Sequence, residues 1–277
     1  MEAAFFDLDK TVVSKSSSLA LSRPMYDAGL VTRSMLMKSV YAQLVYLLQG
    51  ADDRRMDRLK DEVMALTKGW DRAQVEDIAR EALATVIDPY IYLEALDLME
   101  LHRARGRAVF IVSSSPEEVV RPLAERLGPV EVIATRTAVD EHGHYTGEME
   151  FYCAGENKAL AIRQVAERRG IELADSYAYS DSISDLPMLG AVGHPVAVNP
   201  DRDLRKVATE RGWQVRDFRR PVSLRTRIAT VPARTPTAAR LAIAAAAAGL
   251  IGWLLIRSRL PRGDGSDASG PGRSRAA

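Results

Sequence analysis

A single cysteine, Cys153, among 277 residues excludes an internal disulfide, and a chain without such cross-links fits a reducing compartment. Aromatic residues are scarce at 6%, and the formal net charge is only +1 although 27% of residues are charged. With no field of one sign and no aromatic-and-basic repeat to attract and stack bases, nucleic-acid binding is excluded and a small substrate is expected. The N-terminal residues lack the basic start and apolar core of a signal peptide, so the catalytic region is expected in the cytoplasm. Cys153 follows Phe151-Tyr152 with no obvious base beside it. It reads as a buried thiol rather than a nucleophile.

What is present is apolar material for a core: 47% of the residues are hydrophobic, enough for one large domain or a domain with a smaller companion. From Asp88-Pro89 onward, short β-branched runs at 108–112, 130–134, 177–179 and 196–198 read as strands. Helical patterns at 117–127, 158–169, 185–189 and 201–211 separate them. Near-continuously apolar strands alternating with helices predict a parallel sheet covered on both faces, a three-layer α/β core. The turn signal Glu141-His142-Gly143-His144 predicts a hairpin over 136–151 protruding from that core. His142 and His144 then read as turn residues on a solvated hairpin, not as metal ligands.

Residues 15–88 differ in character. Helical apolar spacing recurs at 19–28, 34–48, 53–66 and 72–84, broken at Gly29, Gly50 and Gly69, which predicts a helical insert between the first strand and the rest of the sheet. At the other end, residues 241–256 carry no charge, and with Ala238-Ala239-Arg240 they approach the length that crosses a bilayer. A transmembrane or membrane-surface helix over 238–256 is expected, after a Pro/Arg/Thr-rich linker at 221–237 and before a disordered tail at 257–277, so membrane association through this helix is expected too. Arginines flank it on both sides, so the positive-inside rule selects no orientation.

Four separated segments carry the chemistry: Asp7-Leu8-Asp9-Lys10-Thr11, Ser113-Ser114-Ser115, Lys158, and Asp181-Ser182-Ile183-Ser184-Asp185. Each stands where an apolar stretch gives way to polar residues, at the carboxyl edge where a parallel sheet binds its ligands. The run Ala3-Ala4-Phe5-Phe6 delivers Asp7 and Asp9 into one turn, and a carboxylate pair with a one-residue gap suits a nucleophile and its acid/base partner. Ser113-Ser114-Ser115 before Pro116 also reads as a helix N-cap, and Asp185 before Leu186-Pro187 as another.

This combination resembles the haloacid dehalogenase-like hydrolases, and within them subfamily IB and the phosphoserine phosphatase branch, over residues 1–218. The resemblance implies a Rossmann-like core at 1–14 and 89–220 with residues 15–88 as a helical cap. It implies a phosphatase in which Asp7 is the nucleophile and Asp9 the acid/base. Ser113, Ser114 and Lys158 would bind phosphate. Mg²⁺ would be held by Asp7, the Asp9 backbone carbonyl, Asp181 and Asp185. The partner would be a small phosphorylated metabolite.

Two departures are visible. The stretch Ser14-Lys15-Ser16-Ser17-Ser18 carries no acid where phosphoserine phosphatases have a carboxylate for the substrate's amino group, so the expected substrate is a phosphorylated alcohol without an ammonium group. Tyr179-Ser180-Asp181-Ser182 replaces the Gly-Asp-Gly of those enzymes, and with Gly193-His194-Pro195-Val196-Ala197-Val198-Asn199-Pro200 it carries the likeness to subfamily IB. Transfer of the phosphoryl group to an acceptor other than water, and a non-enzymatic, membrane-tethered receiver, are the alternatives left open.

Overall fold

A computed structural model describes residues 1–31, 65–83, 88–128 and 130–223. They fall in one compact unit, and residues 224–277 lie outside the description. The expected membrane helix at 238–256 and the tail at 257–277 therefore lie outside the described residues, as do the cap helix at 34–48 and nearly all of that at 53–66. Among the described residues no helix is long and apolar enough to cross a membrane.

The chain forms β1 (Ala3–Asp7), α1 (Ser17–Asp27), α2 (Arg72–Ala82), a 3-10 turn at Asp88–Tyr90, β2 (Ile91–Tyr92) and α3 (Leu93–Ala104). It continues as β3 (Ala108–Pro116), α4 (Glu117–Arg126), β4 (Glu131–Val139), β5 (Tyr145–Phe151), α5 (Glu156–Arg169), β6 (Tyr177–Ser180) and α6 (Leu186–Leu189), with a 3-10 turn at Ile183–Asp185 before α6. It ends with β7 (His194–Val198), α7 (Arg202–Glu210), β8 (Gln214–Arg216) and β9 (Pro221–Val222).

Seven strands make one sheet in the order β5-β4-β3-β1-β6-β7-β8, and β2 pairs with β9 in a separate ribbon. Every pair in the large sheet is parallel except β4 with β5. The expected α/β sheet is thus present, with β1 at its centre.

Strand β1 shows why. All five of its residues are buried, and successive side chains of a strand point to opposite faces. Phe6 joins Leu8, Ile91, Met99 and Tyr179 in one core, while Phe5 joins Phe110, Ile162 and Met188 in the other. Phe6 stacks on Tyr179 at 4.3 Å and Phe5 on Phe110 at 5.1 Å between ring centroids. Truncating either phenylalanine would cost about 3–5 kcal/mol, so the strand that delivers Asp7 is firmly anchored on both faces of the sheet.

The structure differs from expectation in three places. Helix α3 forms where no helix was expected, because Leu93, Ala95, Leu96, Leu98, Met99 and Leu101 spread apolar residues around the axis and leave no single stripe. The hairpin at 136–151 is not free of the insert. Its Tyr145 packs against Met25 and Val75, and its tip exchanges backbone bonds with 69–72: Gly69 N–H to Tyr145 O, Tyr145 N–H to Trp70 O and Arg72 N–H to Gly143 O. His142 and His144 remain turn residues, with ring nitrogens near Glu141 and Asp140. The linker expected from 221 begins instead as β9, where Pro221 is tolerated because an edge strand does not need its missing N–H.

One buried group makes stability depend on pH. His102 of α3 meets the Tyr179 hydroxyl at 2.8 Å through Nε2 and the Arg107 guanidinium at 3.4 Å through Nδ1. Arginine can only donate, so Nδ1 accepts and Nε2–H donates to Tyr179. Burial, then the neighbouring Arg107 and Arg105, push the His102 pKa down to about 4. The unfolded chain therefore binds the proton first as pH falls, and this contribution to stability, complete at neutral pH, is lost below the ordinary histidine range. We expect the difference in unfolding free energy between wild type and His102→Gln to shrink by about 2 kcal/mol between pH 7 and pH 5. Denaturant titration at the two pH values measures it; a constant difference would exclude a buried neutral imidazole.

Candidate active site

Register places the acidic residues on one edge. Asp7 ends β1 opposite Val112 of β3, one residue short of Ser113. On its other side Phe6 pairs with Tyr179, so Asp7 is level with Ser180 and Asp181 follows directly. The chain then turns sharply: Val12 and Val13 N–H both donate to Leu8 O, and Lys10 adopts a positive φ of 59°, a conformation that L residues adopt at a cost. Asp9 is half-buried in this turn. Thr11, behind it, is fully buried and its hydroxyl has no hydrogen-bond partner.

Lys158 reaches the same edge from α5. Gly155 precedes that helix with φ 53° and ψ −125°, a backbone that glycine adopts freely, and this bend sets Lys158 in the first turn. Its ammonium is buried and donates to Asp7 Oδ1 at 2.6 Å and Asp185 Oδ2 at 2.8 Å. Burial alone would lower its proton affinity, but the Asp7 and Asp185 carboxylates outweigh that and hold it charged far above neutrality.

Asp185 occupies the N-cap position of α6 yet its side chain does not cap the helix. The expected capping role is replaced: the carboxylate accepts from Lys158 and, at 2.7 Å, from the Ser180 hydroxyl. Helix α6 has no side-chain cap, while Asp201 caps the separate helix α7 by accepting from Leu204 N–H and accepts Ile183 N–H at 2.9 Å through its other oxygen.

Ser113 to Ser115 do not form the expected N-cap either. Strand β3 runs on to Pro116, which is the N-cap residue of α4 and has no side-chain cap. Ser113 pairs with Ala134 and Pro116 with Thr135, so Ser114 and Ser115 bulge out of the ladder, a device that re-aims residues beside sites. The Ser113 hydroxyl is buried and accepts from Ser115 N–H. Ser114 is exposed, its carbonyl held by the Thr135 hydroxyl at 2.8 Å.

Charge is unbalanced here. Asp7, Asp181 and Asp185 are all buried, and Lys158 is the buried cation among them. Burial first, and then the charges of Asp185 and Asp181, push the Asp7 pKa up to about 8 against the pull of Lys158. Asp181 is pushed up to about 6 by burial and by Asp185, with Lys10 opposing. An all-oxygen set carrying excess negative charge fits a hard divalent cation. The carboxylates do not converge as a closed cage, since no group of three or more His, Cys, Asp or Glu side chains among the described residues does so, and the expected set includes a backbone carbonyl.

The sequence reading missed Ser180, Thr135 and Asp201. Ser180 carried a signal, since it ends an apolar strand beside Asp181. Thr135 and Asp201 act only through the spatial neighbours the fold gives them. Cys153 is buried as expected, and desolvation pushes its thiol up to about 12, which excludes a thiolate nucleophile.

The profile of the haloacid dehalogenase-like hydrolase family matches residues 4–190. A protein of Mycobacterium tuberculosis named as a probable phosphatase is 51% identical over 256 residues, covering 92% of this chain and 89% of its own. The inhibition of morphological differentiation protein of Streptomyces azureus is 50% identical over 261 residues, covering 93% of this chain and 94% of its own. A phosphoserine phosphatase of M. tuberculosis is 33% identical over 250 residues, covering 90% and 78%. Among solved structures, a protein of unknown function from Bordetella pertussis Tohama I has a TM-score of 0.69 at 27% identity, covering 80% of this chain and 98% of that one. A phosphoserine phosphatase solved as a phospho-aspartyl intermediate analogue has a TM-score of 0.57 at 19% identity, covering 83% and 99%, which is a likeness of fold.

If Lys158 is the compensating charge, its loss leaves buried carboxylates uncompensated. Lys158→Met in metal-free protein should lose about 3–5 kcal/mol of stability at pH 8. The loss should be smaller at pH 5, where Asp7 can take a proton, and adding Asp185→Asn should restore part of it. A loss that is independent of pH and unrelieved by the second substitution would show that the ammonium is not what offsets these charges.

Proposed function

The chain belongs to the haloacid dehalogenase-like hydrolases and is a phosphatase of that family, and on that premise we propose that it hydrolyses small phosphate monoesters by way of a phosphorylated Asp7. The observation that carries the reading is the buried Lys158 ammonium shared between Asp7 and Asp185 at the carboxyl edge of the sheet. Within the family, Asp7 is where a nucleophile stands, and a cation against it serves a reaction that brings two anions together.

The carboxylate of Asp7 attacks phosphorus: the bond from its oxygen forms as the ester P–O bond breaks, and the departing alkoxide takes a proton from Asp9. Water then attacks the acyl-phosphate, Asp9 takes its proton back, and inorganic phosphate leaves with Asp7 regenerated. Lys158, the Ser113 hydroxyl and the Ser114 amide bind the phosphoryl oxygens and stabilise the charge that develops on them.

Repulsion between Asp7 and a phosphate is about 4 kcal/mol per pair of unit charges at 4 Å with an effective dielectric near 20. Mg²⁺ held by Asp7, the Asp9 carbonyl, Asp181 and Asp185 would supply the neutralising charge and keep Asp7 ionised despite its burial. By the family likeness residues 15–88 would act as a cap that selects the leaving group. The acid-free stretch 14–18 favours a phosphorylated alcohol without an ammonium group over phosphoserine.

The full chain should hydrolyse 4-nitrophenyl phosphate with Mg²⁺ and lose this on EDTA treatment. Asp9→Asn should reduce kcat by about 10²–10⁴-fold while leaving Mg²⁺ binding intact, whereas Asp7→Asn should form no acid-trapped phosphoenzyme. Near-normal turnover of EDTA-treated Asp7→Asn would overturn the covalent route. Comparison of kcat/KM across phosphorylated sugars, acids and amino acids tests the substrate class, and phosphoserine as the best substrate would overturn that part. An added alcohol that captured most of the phosphoryl group would make the protein a transferase.

A further inference from the structure

We propose that Asn199 is a positioning residue for the reaction: it fastens the chain after β8 as a strap across the hinge of residues 15–88 and ties that strap to the loop carrying Asp181. The inserted segment leaves the core after Val13 and returns at Tyr90. These two crossings touch, with Val13 bridged to Ile91, Ser14 N–H donating to Tyr90 O at 2.7 Å and Tyr92 N–H to Val12 O at 2.9 Å. A two-stranded ribbon is marginal by itself. Here β9 supplies the strand partner of the returning crossing, pairing Val222 with Ile91 and Pro221 with Tyr92.

The approach of that strand is held at several points. Asn199 donates from Nδ2 to Phe218 O at 3.1 Å and accepts Phe218 N–H at 2.8 Å through Oδ1, so one side chain copies both bonds of a strand pair. Phe218 is buried and meets the Tyr92 ring edge-on at 5.8 Å. The Glu94 carboxylate accepts Arg219 N–H, Arg220 N–H and Arg220 Nε–H, and Leu93 N–H donates to Arg220 O.

Asn199 holds a positive φ of 43°, which its short amide tolerates better than most side chains. That conformation turns the chain between β7 and Asp201. Asp201 N–H donates to Asp181 O at 2.8 Å, and its carboxylate holds Ile183 N–H. The same turn therefore bears on the hinge through Phe218 and on the Asp181 loop through Asp201. It fixes the geometry between the insert and the acidic edge without touching substrate.

Asn199→Gly keeps the positive φ without strain and removes both side-chain bonds, while Glu94→Ala releases the strap elsewhere and guards against an effect peculiar to the turn. In the full chain, amide exchange at Ser14, Tyr92 and Leu93 should rise about tenfold in both variants while β1 and β3 exchange as in wild type. With Mg²⁺, kcat/KM for 4-nitrophenyl phosphate should fall about five- to tenfold. The proposal is overturned by unchanged hinge exchange, by acceleration throughout the sheet, or by a loosened hinge with unchanged kinetics. Absence of turnover in wild type would count against the proposed reaction alone, and exchange at the hinge would still decide whether Asn199 fastens the strap.

Discussion

One buried ammonium serves two carboxylates drawn from distant parts of the chain, and much of the local structure is arranged around that shortage of positive charge. Asp7 is 151 residues from Lys158 and Asp185 is 27 away, so three elements must end at one point for the pairing to exist. Gly155 gives up an ordinary backbone to start α5 where its first turn reaches Asp7. Asp185 gives up its helix cap to accept from Lys158 and Ser180. A single charge cannot neutralise Asp7, Asp181 and Asp185 together. The remaining imbalance is what the proposed divalent cation would offset.

The sheet was legible because its strands are apolar on both faces, and the catalytic segments because each follows such a strand. Asp7, Ser113 and Asp181 needed only the rule that ligands sit beyond carboxyl ends. The same sequence misled where two physical readings share one pattern. Ser-Ser-Ser-Pro is a good cap, but the backbone there continues as a bulged strand, since pairing with Ala134 and Thr135 outweighs a local cap bond. Asp185 is a good cap by position, and only the arrival of Lys158 from another helix redirects it. Helix α3 escaped notice because burial on several sides removes the amphipathic stripe by which helices are recognised. The end of the strap at 221–222 was hidden inside a linker-like composition; nothing local distinguishes Pro221-Val222 from the residues after them, and its partner Ile91 is 131 positions away in register with Val222.

Among the described residues the insert meets the core at its hinge and again beside α4, and these contacts differ in kind. Near its return, α2 lies against α4 through Arg72–Glu118 at 2.9 Å and Arg80–Glu125 at 2.6 Å, and residues 69–72 are stitched to the hairpin tip by backbone bonds. Glu118 is buried while Arg72 is half-exposed, so that pair fixes position at little net gain in stability. The hinge by contrast is almost all backbone pairing, reinforced by Asn199 and Glu94.

These arrangements oppose one another in energy. Buried carboxylates with raised proton affinity make the folded state bind protons that the unfolded chain would release, so Asp7 and Asp181 weaken the fold as pH rises toward neutrality. The apolar strand that carries Asp7 works the other way, with Phe5 and Phe6 buried completely on opposite faces of the sheet. A carboxylate on a surface loop would have avoided the penalty but would have been held less firmly. Setting it at the end of the most deeply buried strand accepts the electrostatic cost where packing is strongest, and so holds a destabilising carboxylate still.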